Sequence, residues 1–177
     1  DLTMRLLATR TFESATNSLG VITDRVGETG AATGIPKWLV NLYSTYSTGP
    51  LSVTLSARYI PAGHLNNTYI GPDSKNYVNQ IAKILEDGIL KSTVTDNMVS
   101  KAYYFNLASS YNISQSQGRK LQAFLSINNL LDRTPPQAPA TSSTYFTNPV
   151  LFDQIGRYYR LGLRFEDRKS TRLNSSH

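Results

Sequence analysis

Apolar and polar residues alternate with a period of two along six stretches of this chain. In the first, Leu2, Met4, Leu6 and Ala8 stand against Thr3, Arg5 and Thr9. The second sets Trp38, Val40, Leu42, Ser44 and Tyr46 against Lys37, Asn41, Tyr43 and Thr45. The third is the cleanest, with Leu51, Val53, Leu55, Ala57 and Tyr59 opposite Ser52, Thr54, Ser56 and Arg58. One face of the fourth carries Tyr103, Phe105, Leu107, Ser109 and Tyr111, opposite Tyr104, Asn106, Ala108 and Ser110. Leu121, Ala123, Leu125 and Ile127 oppose Gln122, Phe124, Ser126 and Asn128 in the fifth. Tyr159, Leu161, Leu163 and Phe165 oppose Arg160, Gly162 and Arg164 in the sixth. Successive side chains of a strand point to opposite faces, so each stretch predicts a strand with one apolar side. The expected class is all-β.

The connections between these strands are of two kinds, and they alternate. Residues 47–50 and 114–118 are tight turns built from Ser, Thr, Gly, Pro and Gln. The other three, at 13–35, 61–100 and 132–154, are long. Three structureless loops of that length are rare in a compact soluble domain. Short turns at one end and long loops at the other are the asymmetry of an outer-membrane barrel. One loop piece predicts a helix: Val78, Ile81, Ile84 and Leu85 share a helical face, with Gly88 as a C-cap.

Composition is compatible with a membrane sheet. Mean hydropathy is −0.31, and nowhere do eighteen apolar residues run together, which excludes a transmembrane helix. A transmembrane barrel escapes that test, because lipid-facing and lumen-facing residues alternate and average to mild polarity. There are eleven Tyr, one Trp and no Cys; Tyr suits strands and membrane interfaces. Trp38 and Tyr46 bracket the apolar face of the second strand, and Tyr103 and Tyr111 repeat the spacing on the fourth. Eight residues at ~3.3 Å, tilted by ~40°, span roughly 20 Å, near the ~25 Å apolar band of such barrels. These four residues are the expected aromatic girdle.

Charge changes the picture once the C-terminus is considered. Residues 167–177, DRKSTRLNSSH, break the alternation and match, residue for residue, the translation of a common sequencing-library adapter. They are expected to be a non-native, disordered tail. Without them Arg168, Lys169 and Arg172 are lost against Asp167, and the net charge falls from +6 to +4. No basic stripe remains elsewhere, so a nucleic-acid partner is not expected. The chain opens mid-pattern at Asp1 without a signal peptide, so on a membrane reading it is expected to be a fragment.

Three segments carry a family resemblance. The segment 127–132, INNLLD, is similar to the penultimate-strand signature of TonB-dependent outer-membrane receptors. Residues 145–165, YFTNPVLFDQIGRYYRLGLRF, resemble the family's last loop and final strand, with its Gly-Arg-aromatic entry. Trp38-Leu39-Val40-Asn41-Leu42, then Gly49-Pro50-Leu51-Ser52-Val53 and Arg58-Tyr59, resemble the hairpin upstream. The resemblance covers most of residues 1–166. It implies a transmembrane antiparallel barrel of which this chain supplies about six strands, a curved open sheet with long extracellular loops and short periplasmic turns. It implies a Gram-negative outer-membrane location and uptake of a scarce, bulky ligand (siderophore-iron, haem, cobalamin or oligosaccharide) energised through TonB. The partners implied are outer-membrane lipid, an N-terminal plug domain and, through that plug, the TonB complex. The sequence departs from the family at position 167, where Asp stands in place of a terminal aromatic.

Enzymatic chemistry is not expected. No catalytic or metal-binding constellation is present and no cofactor is implied. His64 beside Asn66 and Asn67 is expected to be a loop histidine, and Glu86-Asp87 a solvated pair on the short helix. The stretch 27–30, Gly-Glu-Thr-Gly, lacks the strand–helix context of a phosphate loop and is expected to be flexible. Arg5, Arg58, Arg160 and Arg164 lie opposite the apolar faces, which makes them lumen-facing candidates for plug carboxylates or an anionic ligand. His64, Tyr69, Tyr77, Tyr145 and Phe146 are the candidate ligand-contacting loop residues. The alternatives are another large barrel such as a porin, which INNLLD argues against, and a soluble β-sandwich or lipocalin-like binding module with the apolar faces turned inward. A six-stranded piece of a larger barrel has unpaired edges, and is expected to be unstable alone, without a soluble core of its own.

Overall fold

Alternating residues of the kind described above hydrogen-bond best as neighbours in a sheet, and the chain does this in sequence order. The computed structural model describes residues 1–31, 34–80, 82–86, 88–116, 119–139 and 147–167. In chain order the strands are β1 (Leu2–Arg10), β2 (Ala15–Ser18), β3 (Val21–Asp24), β4 (Trp38–Thr48), β5 (Leu51–Ile60), β6 (Gly63–His64), β7 (Tyr69–Ile70), β8 (Lys83–Glu86), β9 (Ile89–Thr93), β10 (Met98–Val99), β11 (Ala102–Ser116), β12 (Arg119–Asn128) and β13 (Tyr158–Asp167). Six of them, the six expected, form one antiparallel sheet in the order β1-β4-β5-β11-β12-β13. The sheet is open, and among the described residues no strand joins β13 back to β1. The protein is therefore all-β, and no helix occurs among the described residues.

Register unites the six apolar faces. Leu6 faces Leu42, Leu42 faces Ala57, and Ala57 faces Phe105. Further along, Leu55 faces Leu107, Leu107 faces Ile127, and Ile127 faces Tyr159. Because the side-chain period is two, this pairing puts every apolar set on the same side of the sheet. Nothing among the described residues covers that side. Leu6 is 66% exposed and Leu161 80%, and no second sheet packs on the face as a sandwich requires.

The opposite face is polar over the turn half of the sheet. Hydroxyl and amide pairs ladder across it: Thr45 with Thr54 at 2.9 Å, Ser47 with Ser52 at 3.2 Å, and Gln122 donating to Asn112 at 3.0 Å. Towards the loop end the same face turns apolar and is covered. Ile60, Ala102 and Tyr104 of the sheet meet Val99, Ala138, Leu151 and Phe152 from the loops, with Leu39 and Leu65 packed alongside. The chain thus has a small buried core after all, which corrects the expectation of none. It is contributed by loops that alternation alone could not place.

Those loops are not structureless. β2 and β3 form a hairpin, β6 pairs with β10, and β9 is flanked by β8 (antiparallel) and β7 (parallel). The expected helix across 78–88 is absent. Lys83–Glu86 and Ile89–Thr93 make a hairpin instead, turned at Gly88 with φ +75°. Ile84 and Leu85 point to opposite sides of a strand there, so their apparent helical stripe was two strand positions on different faces. Residues 81 and 87, the side chain of Glu86, Tyr145, Phe146 and the tail 168–177 lie outside the described residues. β13 itself runs through Asp167, which pairs with Arg119.

Candidate functional site

Three regions bear on function: the apolar face, the polar face beneath the loops, and the clasp that joins the last two strands. The clasp explains INNLLD. β12 ends at Asn128, and Asn129 turns the chain with φ +49°, a conformation Asn tolerates better than most residues. Its backbone N–H donates to Oδ1 of Asn106 at 2.9 Å, across the sheet in β11. Its amide group then ties the loop back: Nδ2 donates to the Arg133 carbonyl and Oδ1 accepts from the Arg133 N–H, both at 2.9 Å. Asn129 is fully buried by these contacts. Asp132, also at positive φ (52°), accepts the Arg157 N–H at 2.9 Å, while the two side chains lie 4.0 Å apart. Gly156 at φ +78° supplies the turn before it. The segments 127–132 and 145–165 thus meet in one structural joint.

On the polar face, the four arginines fall as alternation predicts but do not converge. Arg5 faces Tyr43, Arg58 faces Asn41 and Tyr104, Arg160 faces Ser126, and Arg164 faces Gln122. Arg160 donates to the Tyr158 hydroxyl at 3.1 Å and its guanidinium lies over that ring. Arg164 borders an open cavity of ≈ 300 Å³ with Ser52, Thr54, Ser110 and Phe124. Arg58 borders a second, of ≈ 290 Å³, under the loops with Tyr104, Asn106, Asn128, Phe152 and Asp153. The Tyr104 hydroxyl is buried there, with no hydrogen-bond partner among the described residues.

The loop candidates divide. His64 and Tyr69 share a cavity of ≈ 230 Å³ with Asp73 and Asn97, and His64 Nε2 lies 3.3 Å from Asp73 Oδ2. Tyr77 lines a different depression and donates to Asn79 Oδ1 at 3.4 Å. His64 also has a backbone role that its residue type does not signal. Its N–H donates to the Gly27 carbonyl at 2.9 Å, and its carbonyl accepts from Thr29 and Gly30 at 2.9 and 3.2 Å.

The expectation of flexibility at 27–30 is corrected by those bonds and by Glu28, which is fully buried. Glu28 accepts from Arg25 Nη1 at 3.1 Å and from the Asn67 N–H at 2.9 Å. Asn67 in turn donates to the Asp24 and Val26 carbonyls at 3.0 Å each. Asn148 Nδ2 donates to the Ala31 carbonyl, which brings in the third long loop. Glu28, Asn67, Asn97 and Asn148 thus lock the loops together. The partners through which they bridge the loops are 28 to 117 positions away in the chain, so apart from Arg25 beside Glu28 no short-range pattern marks them.

The apolar face carries aromatic residues at both ends. Trp38, Tyr59, Tyr103 and Tyr159 lie towards the loops, with Tyr59 and Tyr103 stacked at 5.0 Å between centroids. Tyr46, Tyr111 and Phe165 lie towards the turns. All four expected girdle residues, Trp38, Tyr46, Tyr103 and Tyr111, are on this face; Tyr59, Tyr159 and Phe165 extend the two rows. The rows are oblique to the strands. Tyr159 is level with Ile127, Leu107, Leu55 and hence Ser44, six residues along β4 from Trp38. Tyr46 is level with Val53, Ser109, Leu125 and hence Leu161, four residues short of Phe165. From β4 to β13 there are four strand steps. At ~3.3 Å per residue and ~4.8 Å per step, the rows slope by roughly 45° and 35°.

No family model matches the chain, and no curated protein or solved structure matches it. Among the described residues no group of three or more His, Cys, Asp or Glu side chains is arranged to hold a metal.

Proposed function

We propose that residues 1–166 are the closing strands of a TonB-dependent receptor barrel in a Gram-negative outer membrane. The receptor takes up a scarce bulky ligand, and the apolar face of this sheet meets lipid. The observation that carries this reading is the pair of parallel, oblique aromatic rows bounding one uncovered apolar face. A strand tilt of ~35–45° is what a membrane barrel requires, and aromatic rows level with the membrane surfaces must then cross the strands at that slope. A soluble sandwich has no reason to place them so. The clasp between 129–133 and 156–157 adds support, since it gives a physical purpose to the residues that carry the family resemblance.

On this reading the polar face looks into the barrel, and the locked loops form part of its extracellular mouth. Arg58 with Asn106 and Asn128, under that mouth, is the best placed of the four arginines to meet a plug carboxylate or an anionic ligand. The plug and the TonB-contacting segment have no counterpart among the described residues. The test is to refold the chain with and without detergent. Folding that requires a micelle, with Trp38 emission blue-shifted by it, is expected. A soluble monomer with cooperative thermal unfolding in plain buffer overturns the proposal.

A further inference from the structure

The loop-side rim of the apolar face carries two cations that no carboxylate answers. Arg10 lies directly opposite Trp38 in the β1–β4 pairing. Its guanidinium sits 4.6 Å from the Phe12 ring centroid and 5.3 Å from that of Trp38. Lys101 Nζ sits 5.9 Å from the Tyr103 ring centroid, two strands from Trp38 with Tyr59 between. Both side chains are exposed, and neither has an ion-pair partner among the described residues. Their neighbour on the same rim, Arg157, is held by Asp132.

We propose that Arg10 and Lys101, braced on Trp38 and Tyr103, bind the phosphate of anionic lipid headgroups in the leaflet on the loop side. The proposal rests on the membrane reading and adds a partner chemistry to it. Each cation is placed where a headgroup phosphate lies if the aromatic row marks the membrane interface. An aromatic face underneath leaves the outward N–H groups free to donate, and it limits the conformations the long side chain must lose on binding. A zwitterionic headgroup offers the same phosphate with a compensating cation, so the rim discriminates by net charge.

Trp38 is the only Trp, so its emission reads the rim directly. The full chain is titrated with phosphatidylcholine vesicles and with the same vesicles doped with phosphatidic acid. Quenching by acyl-brominated phosphatidylcholine reports insertion. Tighter binding to the doped vesicles is expected, lessened about fivefold by Arg10→Gln or Lys101→Gln and about twenty-five-fold by both. Lys75→Gln, an exposed loop cation, is expected to leave the preference unchanged. For the unaltered chain, the preference is expected to fade as salt is raised. Insertion without any anionic preference, or a preference that survives the double substitution or salt, overturns the proposal and leaves the membrane reading standing. Quenching by lipid in neither vesicle overturns both.

Discussion

At the scale of single residues, Asn129 shows what a short motif encodes. It accommodates positive φ, accepts one hydrogen bond and donates another around Arg133. Asn129→Ala removes both bonds, each worth about 1 kcal/mol, and leaves a Cβ residue in a left-handed conformation at about 1 kcal/mol more. A loss of about 2–3 kcal/mol is expected in denaturant unfolding of the detergent-refolded chain. Asn129→Gly relieves the backbone but not the side chain, so it should fall between the two; equal losses for Ala and Gly would remove the conformational part of the argument. Asp24 offers a pH test in the loops. Its carboxylate accepts from the Ser14 and Val26 N–H groups at 3.0 Å each, and these bonds, Ser14's first, hold its pKa below the ordinary 3.8. A lowered carboxylate pKa stabilises the fold above the unfolded value and loses that contribution as pH falls through the lower, folded one. The protection of the Val26 amide, its exchange rate taken relative to the intrinsic rate at each pH, should therefore fall below about pH 4, and do so less in Asp24→Asn, which keeps a neutral acceptor.

At the scale of elements, what was legible in the sequence divides by the range of the interaction. The six long strands were legible because successive side chains of a strand point to opposite faces, so a sheet with one apolar face writes a period of two into local sequence. Even Phe124, an aromatic on the polar face, fits once its partner is seen: it faces Gly162, and a Cβ added there would lie 2.6 Å from its ring. The bare glycine leaves the space the ring fills. Gly162→Ala should cost about 1 kcal/mol, because the ring tip can swing away, and Gly162→Val about 1–3 kcal/mol. Phe124→Leu combined with Gly162→Ala should cost less than the sum of the single changes, a coupling that a double-mutant cycle measures. Fully additive costs would mean that the ring does not rest on the glycine. The loops were not legible, for a physical reason. Glu28 and Asn148 are buried polar residues satisfied by partners in other loops, and Asn97 by Asn66 and Tyr69 about thirty positions back in its own; solvated residues of the same types look no different in sequence. The helix expected at 78–88 fails for a local reason: Ile84 and Leu85 lie on opposite faces of β8, and the chain turns at Gly88 into β9.

For the whole molecule the open question of energy is the two sheet edges. β1 and β13 each pair on one side only, along nine and ten residues, and their outward N–H and C=O groups have no partner in the sheet. In water such groups are solvated, but in a lipid or detergent environment an unpaired backbone group costs several kcal/mol. On the membrane reading the apolar face calls for an apolar medium, while the open edges penalise one. Pairing between copies relieves both at once, because an edge strand is a ready template for another. The chain in micelles should accordingly appear in light scattering at multiples of its 19.6 kDa rather than as a monomer. Hydrogen exchange then distinguishes edge pairing from loop contacts. Dilution should accelerate exchange in β1 and β13 and leave β5 and β11, which are paired on both sides, as they were. A monomer whose edge amides exchange at the same rate at every concentration would show that the sheet tolerates its open edges, and that closure into a larger barrel is not what it lacks.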